Sequence, residues 1–151
     1  MVAARSAVGA SSGSLTLNVS VNSDMSSALP FTAEAESLFD GDRFVGREDV
    51  PMTTVDAIMA AHAAPDDRVF LKSDTQGYDL EVLRGGTASL HRIAGLQIEA
   101  SLHSIYQGQP NWRDIVEFAA PYGFEIDFII PGYYSKARRR LMEFDIVFVR
   151  R

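Results

Sequence analysis

At 151 residues and 16.6 kDa the chain is the size of one domain, and 46% hydrophobic with 23% charged residues excludes overall disorder. It contains no cysteine, which excludes disulfides, thiolate metal sites and cysteine nucleophiles, and no apolar run near the roughly 18 residues of a membrane span. A net charge of −6 and a pI near 5.0 argue against nucleic-acid binding, and the absent cysteines, with no secretory signal read at Met1–Arg5, fit a cytoplasmic location.

Residues 2–8 predict a short buried strand that ends at Gly9 and a Ser/Gly turn through Gly13. Residues 14–21 alternate, with Leu15, Leu17, Val19 and Val21 against Thr16, Asn18 and Ser20, the period of a half-buried strand. Residues 22–49 read as irregular, a functional or mobile loop by its length. Thr53-Thr54-Val55-Asp56 reads as a capping box with Asp in place of Glu or Gln. Val55, Ile58, Met59 and His62 then fall at helical spacing, which predicts a helix over 54–63.

Val69-Phe70-Leu71 predicts a strand ending on Lys72-Ser73-Asp74. Thr75-Gln76-Gly77 turns the chain into a helix from Tyr78, with Gly85-Gly86 as its C-cap. A short helical piece at 87–93 precedes a strand at 96–102. Asn111 caps a helix running to about Tyr122, and Gly123 stops it. Residues 124–130 predict a strongly apolar strand, and a basic loop leads to a last strand at 144–149. No internal repeat or linker divides the chain, so 1–151 reads as a single domain. From residue 50 the order helix, strand, helix, strand, helix, strand, strand predicts an α/β fold with a mainly parallel sheet. The closing strands lack a helix between them, so one of them runs antiparallel.

Ligands of open α/β sheets collect at the carboxyl ends of strands, which singles out Asp74 and the glycine turn after it. A carboxylate there can hold a cofactor ammonium or take a proton from an acceptor hydroxyl, and it can equally cap the next helix. Glu99 stands in the middle of an apolar strand, sharing a face with Gln97 and Ser101, where a carboxylate is costly unless paired. That face either borders a polar pocket or lies under polar loops. His103, near the same strand's end, is a candidate general base, or a structural histidine since no partner is visible. His62 and His91 read as surface or interface residues. Tyr106-Gln107-Gly108-Gln109-Pro110 and Trp112 form either a wall over an acceptor or an anchor for the next helix. Lys136, Arg138, Arg139 and Arg140 could receive a phosphate or form a solvated hairpin tip. There is no G-x-G-x-x-G, no P-loop and no His/Asp/Glu cluster at metal-ligand spacing.

The run Leu71-Lys72-Ser73-Asp74-Thr75-Gln76-Gly77-Tyr78-Asp79-Leu80-Glu81-Val82-Leu83-Arg84-Gly85-Gly86 resembles the signature of FkbM-type methyltransferases, Lys-x-Asp-x-(Glu/Gln)-Gly followed by an acidic residue and Val-Leu-x-Gly-(Ala/Gly). The likeness continues through Gln97–Ser101, Tyr106–Pro110, Gly123-Phe124, Pro131-Gly132 and Phe144–Val149, and upstream through Ala7-Val8-Gly9, Gly13 and Asn22–Ser27. It spans roughly residues 3–150.

The resemblance implies a Rossmann-like class I methyltransferase sheet, mainly parallel with an antiparallel C-terminal strand. It implies S-adenosylmethionine as cofactor and a hydroxyl of a sugar or natural product as acceptor. Ala7 and Val8 would approach the adenine, Asp74 would lie near the reacting methyl and cofactor, and Lys72, Glu99 and His103 would border the acceptor.

The family's first strand with its glycine-rich turn, and the second strand with its ribose-binding acid, are not found here. The expectation is therefore a truncated domain lacking the first two strands, with weak cofactor affinity and an unpaired edge at Val69–Ser73 that invites pairing with another copy. The alternative is a non-catalytic α/β module that binds an acidic or phosphorylated partner through residues 136–140.

Overall fold

The computed structural model describes residues 5–38, 41 and 43–151. In chain order the elements are β1 (Ala7–Val8), β2 (Gly13–Ser20), α1 (Ala33–Leu38), β3 (Phe44–Thr53), α2 (Val55–His62), β4 (Val69–Ser73), α3 (Asp79–Arg84), β5 (Ile93–Ser101), α4 (Trp112–Ala119), β6 (Phe124–Pro131), β7 (Tyr134–Ser135), β8 (Arg140–Leu141) and β9 (Glu143–Arg150). The strands form a three-stranded sheet in the order β1-β3-β2, a four-stranded sheet in the order β4-β5-β9-β6, and the β7-β8 hairpin. None of the helices is long and apolar enough to cross a membrane.

In the larger sheet β4 runs parallel to β5, while β9 is antiparallel to both β5 and β6. Strands β4, β5 and β6 therefore point one way and β9 alone is reversed, as the missing helix before the last strand required. Alternation sorts the side chains. Leu96, Ile98 and Ala100 of β5 and Ile146 and Phe148 of β9 are buried. They form one core with Val55 and Met59 of α2, Val82 and Leu83 of α3, and Ile115 and Ala119 of α4. Each valine, leucine, isoleucine, methionine or phenylalanine among them contributes about 1.5–3 kcal/mol by leaving water. Arg150 of β9 ties this layer together by donating to the carbonyls of Leu90, Ile93 and Tyr122 while its guanidinium lies 4.5 Å from the Phe124 ring centroid. On the opposite face Phe70 and Phe128 are 54% and 51% exposed.

The stretch 22–49 is not irregular throughout. It holds a 3-10 turn at Ser23–Met25, helix α1 and most of the ten-residue strand β3. Strand β3 escapes the sequence pattern because its burial is poor on both faces: Gly46, Arg47, Glu48 and Asp49 interrupt any apolar alternation. It is held instead by β2, in register from Gly13↔Met52 to Val19↔Gly46. In β2 it is the polar Asn18 and Ser20 that are buried, and Val21 is 57% exposed. Asn18 donates to the Ser27 carbonyl at 3.1 Å, which satisfies the buried amide. Of the strand expected over 2–8, Ala7 and Val8 pair with Met52 and Thr53; Val2 and Ala3 lie outside the described residues.

Thr54 caps α2 by accepting from the Ala57 amide at 3.1 Å, but Asp56 does not close a capping box. Its carboxylate accepts instead from the Ala88 and Ser89 amides, at 3.2 and 2.8 Å, and pins α2 to the turn after α3. The helix over 111–122 is confirmed as α4 followed by a 3-10 turn, with a full Asn111/Asp114 capping box and left-handed Gly123. The C-cap at Gly85 is right-handed, so its glycine answers to space rather than to backbone freedom. A Cβ on Gly85 would stand 2.0 Å from the Gly9 carbonyl oxygen. This close approach joins the end of β1 to the helix layer of the larger sheet. Gly85→Ala is expected to cost about 1–3 kcal/mol by overpacking, measured as a lower midpoint in urea unfolding; an unchanged midpoint would mean that the two parts separate freely.

Candidate functional site

The site grows from the chain that leaves β4. Asp79, at the start of α3 and 2% exposed, accepts from Ser73 Oγ at 2.6 Å and from the Thr75 amide at 3.2 Å. These bonds bend residues 73–79 back on themselves, and the bend carries Gln76 and Gly77 into the left-handed region at φ +52° and +88°. Glycine accepts that conformation freely; glutamine does so at a cost and is found there when surrounding contacts hold it. The contact at Gln76 is plain: Ser27 Oγ donates to its carbonyl at 2.7 Å.

So placed, the Gln76 side chain joins three groups. Its Nε2 donates to Asp74 Oδ1 at 3.1 Å and to Glu99 Oε2 at 3.2 Å, and its Oε1 lies 2.8 Å from the Tyr106 hydroxyl. That hydroxyl also lies 3.2 Å from the Met25 carbonyl oxygen. Tyr106 is completely buried, stacked on Phe31, which in turn stacks on Phe44. Within the loop 106–110, Tyr106 thus anchors the site from below, while Gly108, Gln109 and Pro110 wall a groove of about 610 Å³ that Gly77 and Tyr78 also line. Gln109 fixes that loop by accepting from the Ile105 and Tyr106 amides and donating to Ser101 Oγ at 2.6 Å.

Lys72 Nζ lies 3.2 Å from Asp74 Oδ2, with the two side chains 54% and 41% exposed. The Asp74 carboxylate, first by hydrogen bond and then by charge, raises the Lys72 ammonium above the usual lysine range. An exposed pair of this kind adds at most about 1 kcal/mol of stability, so its significance is positional. Behind it, the β5–β9 register sets Glu99 opposite Asp145 and Ser101 opposite Glu143 on one face. Gln97 Nε2 donates to Asp145 at 2.5 Å. Burial, then Glu143 and the neighbouring aspartates, pushes the Glu99 carboxyl up to about 9. Burial likewise raises Glu143, against the opposing bond from Ser101. Crowded carboxylates cannot all ionise in a poorly solvated place, so Glu99 keeps its proton at neutral pH.

A cleft of about 450 Å³ lies against the smaller sheet and the turn after β4, lined among others by Ala7, Val8, Leu17, Val50, Thr75 and Tyr78. A second groove of about 460 Å³, running along β4 and α2, shares Val8 and Thr75 with it and reaches Lys72 and Asp74. Thr75 Oγ1 is buried there, beside the Asp79 carboxylate.

The fold therefore brings Lys72, Asp74 and Glu99 to one cluster and sets Ala7 and Val8 along the adjoining cleft. His103 follows β5 half-buried, with no side-chain hydrogen bond among the described residues. The basic loop forms the β7-β8 hairpin, and Arg138 and Arg140 both pair with Glu34 of α1. Sequence reading missed Gln76 as the hub and Thr75, Glu143 and Asp145 as lining groups. The signal for Gln76 lay in its place between a strand-end aspartate and a glycine.

The folded chain holds a proton on Glu99 that the unfolded chain releases near pH 4.5, so this group's contribution to stability is complete below about 4.5 and declines as pH rises towards 9. Glu99→Gln is expected to match the parent near pH 4.5 and to exceed its melting temperature by a widening margin towards pH 9, at about 2–4 °C per kcal/mol. A margin that stays constant across this range would show that Glu99 holds no extra proton.

A family model described as the methyltransferase FkbM domain matches residues 2–126. No curated protein and no solved structure matches the chain. Residues 2–126 take in both the cleft and the Asp74–Glu99 cluster, and on that match the chain belongs to the FkbM methyltransferase family.

Proposed function

We propose that this chain works as a Rossmann-like S-adenosylmethionine-dependent methyltransferase and acts on a hydroxyl of a sugar or natural product. The observation that carries this reading is that the cleft beside Ala7 and Val8 and the groove that reaches Lys72 and Asp74 have Val8 and Thr75 as a common wall. The order β4-β5-β9-β6 with β9 alone reversed supports the fold part of the proposal. A Rossmann-like sheet would place further strands beyond β4, and the described residues supply none there.

The residues present fit an adenosyl donor. The cleft's volume lies within the roughly 300–1,000 Å³ of small-molecule sites, and its walls are largely apolar, as a nucleobase requires. The buried Thr75 hydroxyl adds a polar group to its wall. The acidic cluster suits a cationic sulfonium. Ala7, Val8 and Thr75 would hold the nucleoside side and Asp74 the methionine side. Glu48 lines the same cleft and is tied to Arg5 at 2.7 Å.

When bound, S-adenosylmethionine supplies an electrophilic methyl whose bond to sulfur breaks as the acceptor oxygen bonds the carbon. Asp74 takes the proton from that hydroxyl, and Lys72 and Gln76 hold the carboxylate in place for it. Glu99, still protonated at neutral pH, borders the acceptor as a neutral donor instead of adding another negative charge. His103 stands near the acceptor side as a further polar contact.

Calorimetric titration of the full chain with S-adenosylmethionine tests binding, and transfer of labelled methyl to a mixed glycan extract tests activity. Cofactor affinity is expected to be weak, and Thr75→Val is expected to weaken it several-fold further. Asp74→Asn is expected to lower any transfer by about 10²–10⁴-fold. Transfer that survives Asp74→Asn unchanged would remove Asp74 from the chemistry. Heat uptake insensitive to Thr75→Val would place the donor elsewhere.

A further inference from the structure

We propose that Tyr106 and Ser27 are positioning residues for Asp74 that act through Gln76: Ser27 braces its backbone, and Tyr106 decides which end of its amide meets the carboxylates. The inference rests on the reading of Asp74 as the group that takes the acceptor's proton. It gives the smaller sheet a part in the chemistry.

A glutamine amide can turn either end to a neighbour, and the two ends have opposite hydrogen-bonding character. As it stands, Gln76 gives an N–H to Asp74 at 3.1 Å and to Glu99 at 3.2 Å. Turned over, it would set its own oxygen against the Asp74 carboxylate, and neither could donate. The choice is made at the other end of the amide. Tyr106 is completely buried, and its hydroxyl donates to Gln76 Oε1 at 2.8 Å, with the Met25 carbonyl oxygen at 3.2 Å as a second acceptor. A buried hydroxyl proton has to be used, so it favours an oxygen at that end. Take the proton away and Gln76 Oε1 is left beside the Met25 carbonyl with nothing between them. The turned-over amide, with an N–H at that end, then becomes the better arrangement.

Ser27 fixes the backbone that carries this amide. It is 1% exposed, and its Oγ donates to the Gln76 carbonyl at 2.7 Å while accepting from the Leu29 amide at 3.0 Å. Its own backbone is bonded in both directions to Asn18 of β2, at 2.8 and 3.1 Å. The left-handed φ of +52° at Gln76 is thus braced by a neighbour that is itself tied to a strand. The same stretch lines the 450 Å³ cleft with Ser26 and Ala28, whereas Met25 and Ser27 meet Tyr106 and Gln76. Alternate residues of one short segment therefore serve the cleft and the carboxylates.

The test needs neither donor nor acceptor, which separates it from any transfer assay. Its probe is the Glu99 side-chain carboxyl of the full chain, followed by carbon NMR from about pH 6 to about pH 10. The charged groups around Glu99 are Asp74 and Lys72 at the end of β4, Asp79 of α3, and Glu143 and Asp145 of β9, and all of them stay in every variant. Tyr106→Phe keeps the ring on Phe31 and removes the hydroxyl alone. It is expected to raise the Glu99 midpoint by about one pH unit, because protonated Glu99 then donates to the turned-over amide and ionised Glu99 loses the N–H. Ser27→Ala is expected to move the midpoint the same way. Gln76→Gly, which suits the left-handed backbone, removes the N–H outright and raises the midpoint too. In that background neither Tyr106→Phe nor Ser27→Ala is expected to add a further shift. A midpoint unmoved by either change overturns the proposal for that residue, and shifts that persist undiminished in Gln76→Gly overturn it for both. Should Ser27→Ala disturb folding, Tyr106→Phe decides alone. If these shifts appear while methyl transfer survives Asp74→Asn, the reading of Asp74 fails and the control of the amide stands.

Discussion

A single buried carboxylate fixes the shape on which the site depends. Asp79 sits at the first turn of α3, out of water, and holds Ser73 and Thr75 by hydrogen bonds. Burial raises its carboxyl to about 6, so near neutrality it is largely ionised, which the two donors and the helix start make tolerable. With that bend in place, Gln76 has no relaxed conformation to adopt, and its amide is delivered between two acidic groups that would otherwise repel. Local backbone strain is thereby exchanged for an ordered polar cluster. Sequence order follows the same logic: strand, carboxylate, forced turn, anchoring carboxylate, helix.

The acidic cluster illustrates how charge is managed without counterions. Lys72 is the one cation bonded to it among the described residues, and it stands at the rim. Inward of it, neutrality comes from retained protons on Glu99 and Glu143 and from the amides of Gln76, Gln97 and Gln109. A glutamine amide brings two donors and an acceptor at no electrostatic cost, so three of them can bridge carboxylates and hydroxyls that arginines would overcharge. The site is accordingly polar, rigid and able to present both protonated and ionised carboxyls within one neighbourhood.

Much of the larger sheet could be read from the residues alone. Its strands are either continuously apolar, as at Val69–Leu71, or alternate, as at Phe124–Phe128 and Ile93–Ser101, and helices with recognisable caps separate most of them. The reversal of β9 followed from the missing helix before it. The smaller sheet was not legible in the same way. Strand β3 carries charges on both faces and earns its place through backbone pairing with β2, which leaves no periodic trace. Asp74 stood out because ligands of open α/β sheets collect at strand ends, and Glu99 because a carboxylate within an apolar strand is unusual, whereas Lys72 entered through the family resemblance. Gln76 did not, since a turn glutamine looks ordinary until the backbone angle at that position is known. The apolar run of β6 suggested a buried strand, yet Ile126, Phe128, Ile129 and Ile130 are 39–51% exposed because β6 ends the sheet.

The stacked rings of Phe31, Phe44 and Tyr106 belong to a small second core with Ala35, Ile105 and Met142, separate from the main hydrophobic layer. It draws on distant stretches of the chain, and its most buried member carries the hydroxyl beneath Gln76. A miniature core of this kind can open as its own cooperative unit while the principal layer stays closed. Amide protons around Tyr106 and the residue 73–79 bend would then exchange together, sooner than those of β5 and β9, and order at the functional corner would be governed by a free energy distinct from that of global unfolding.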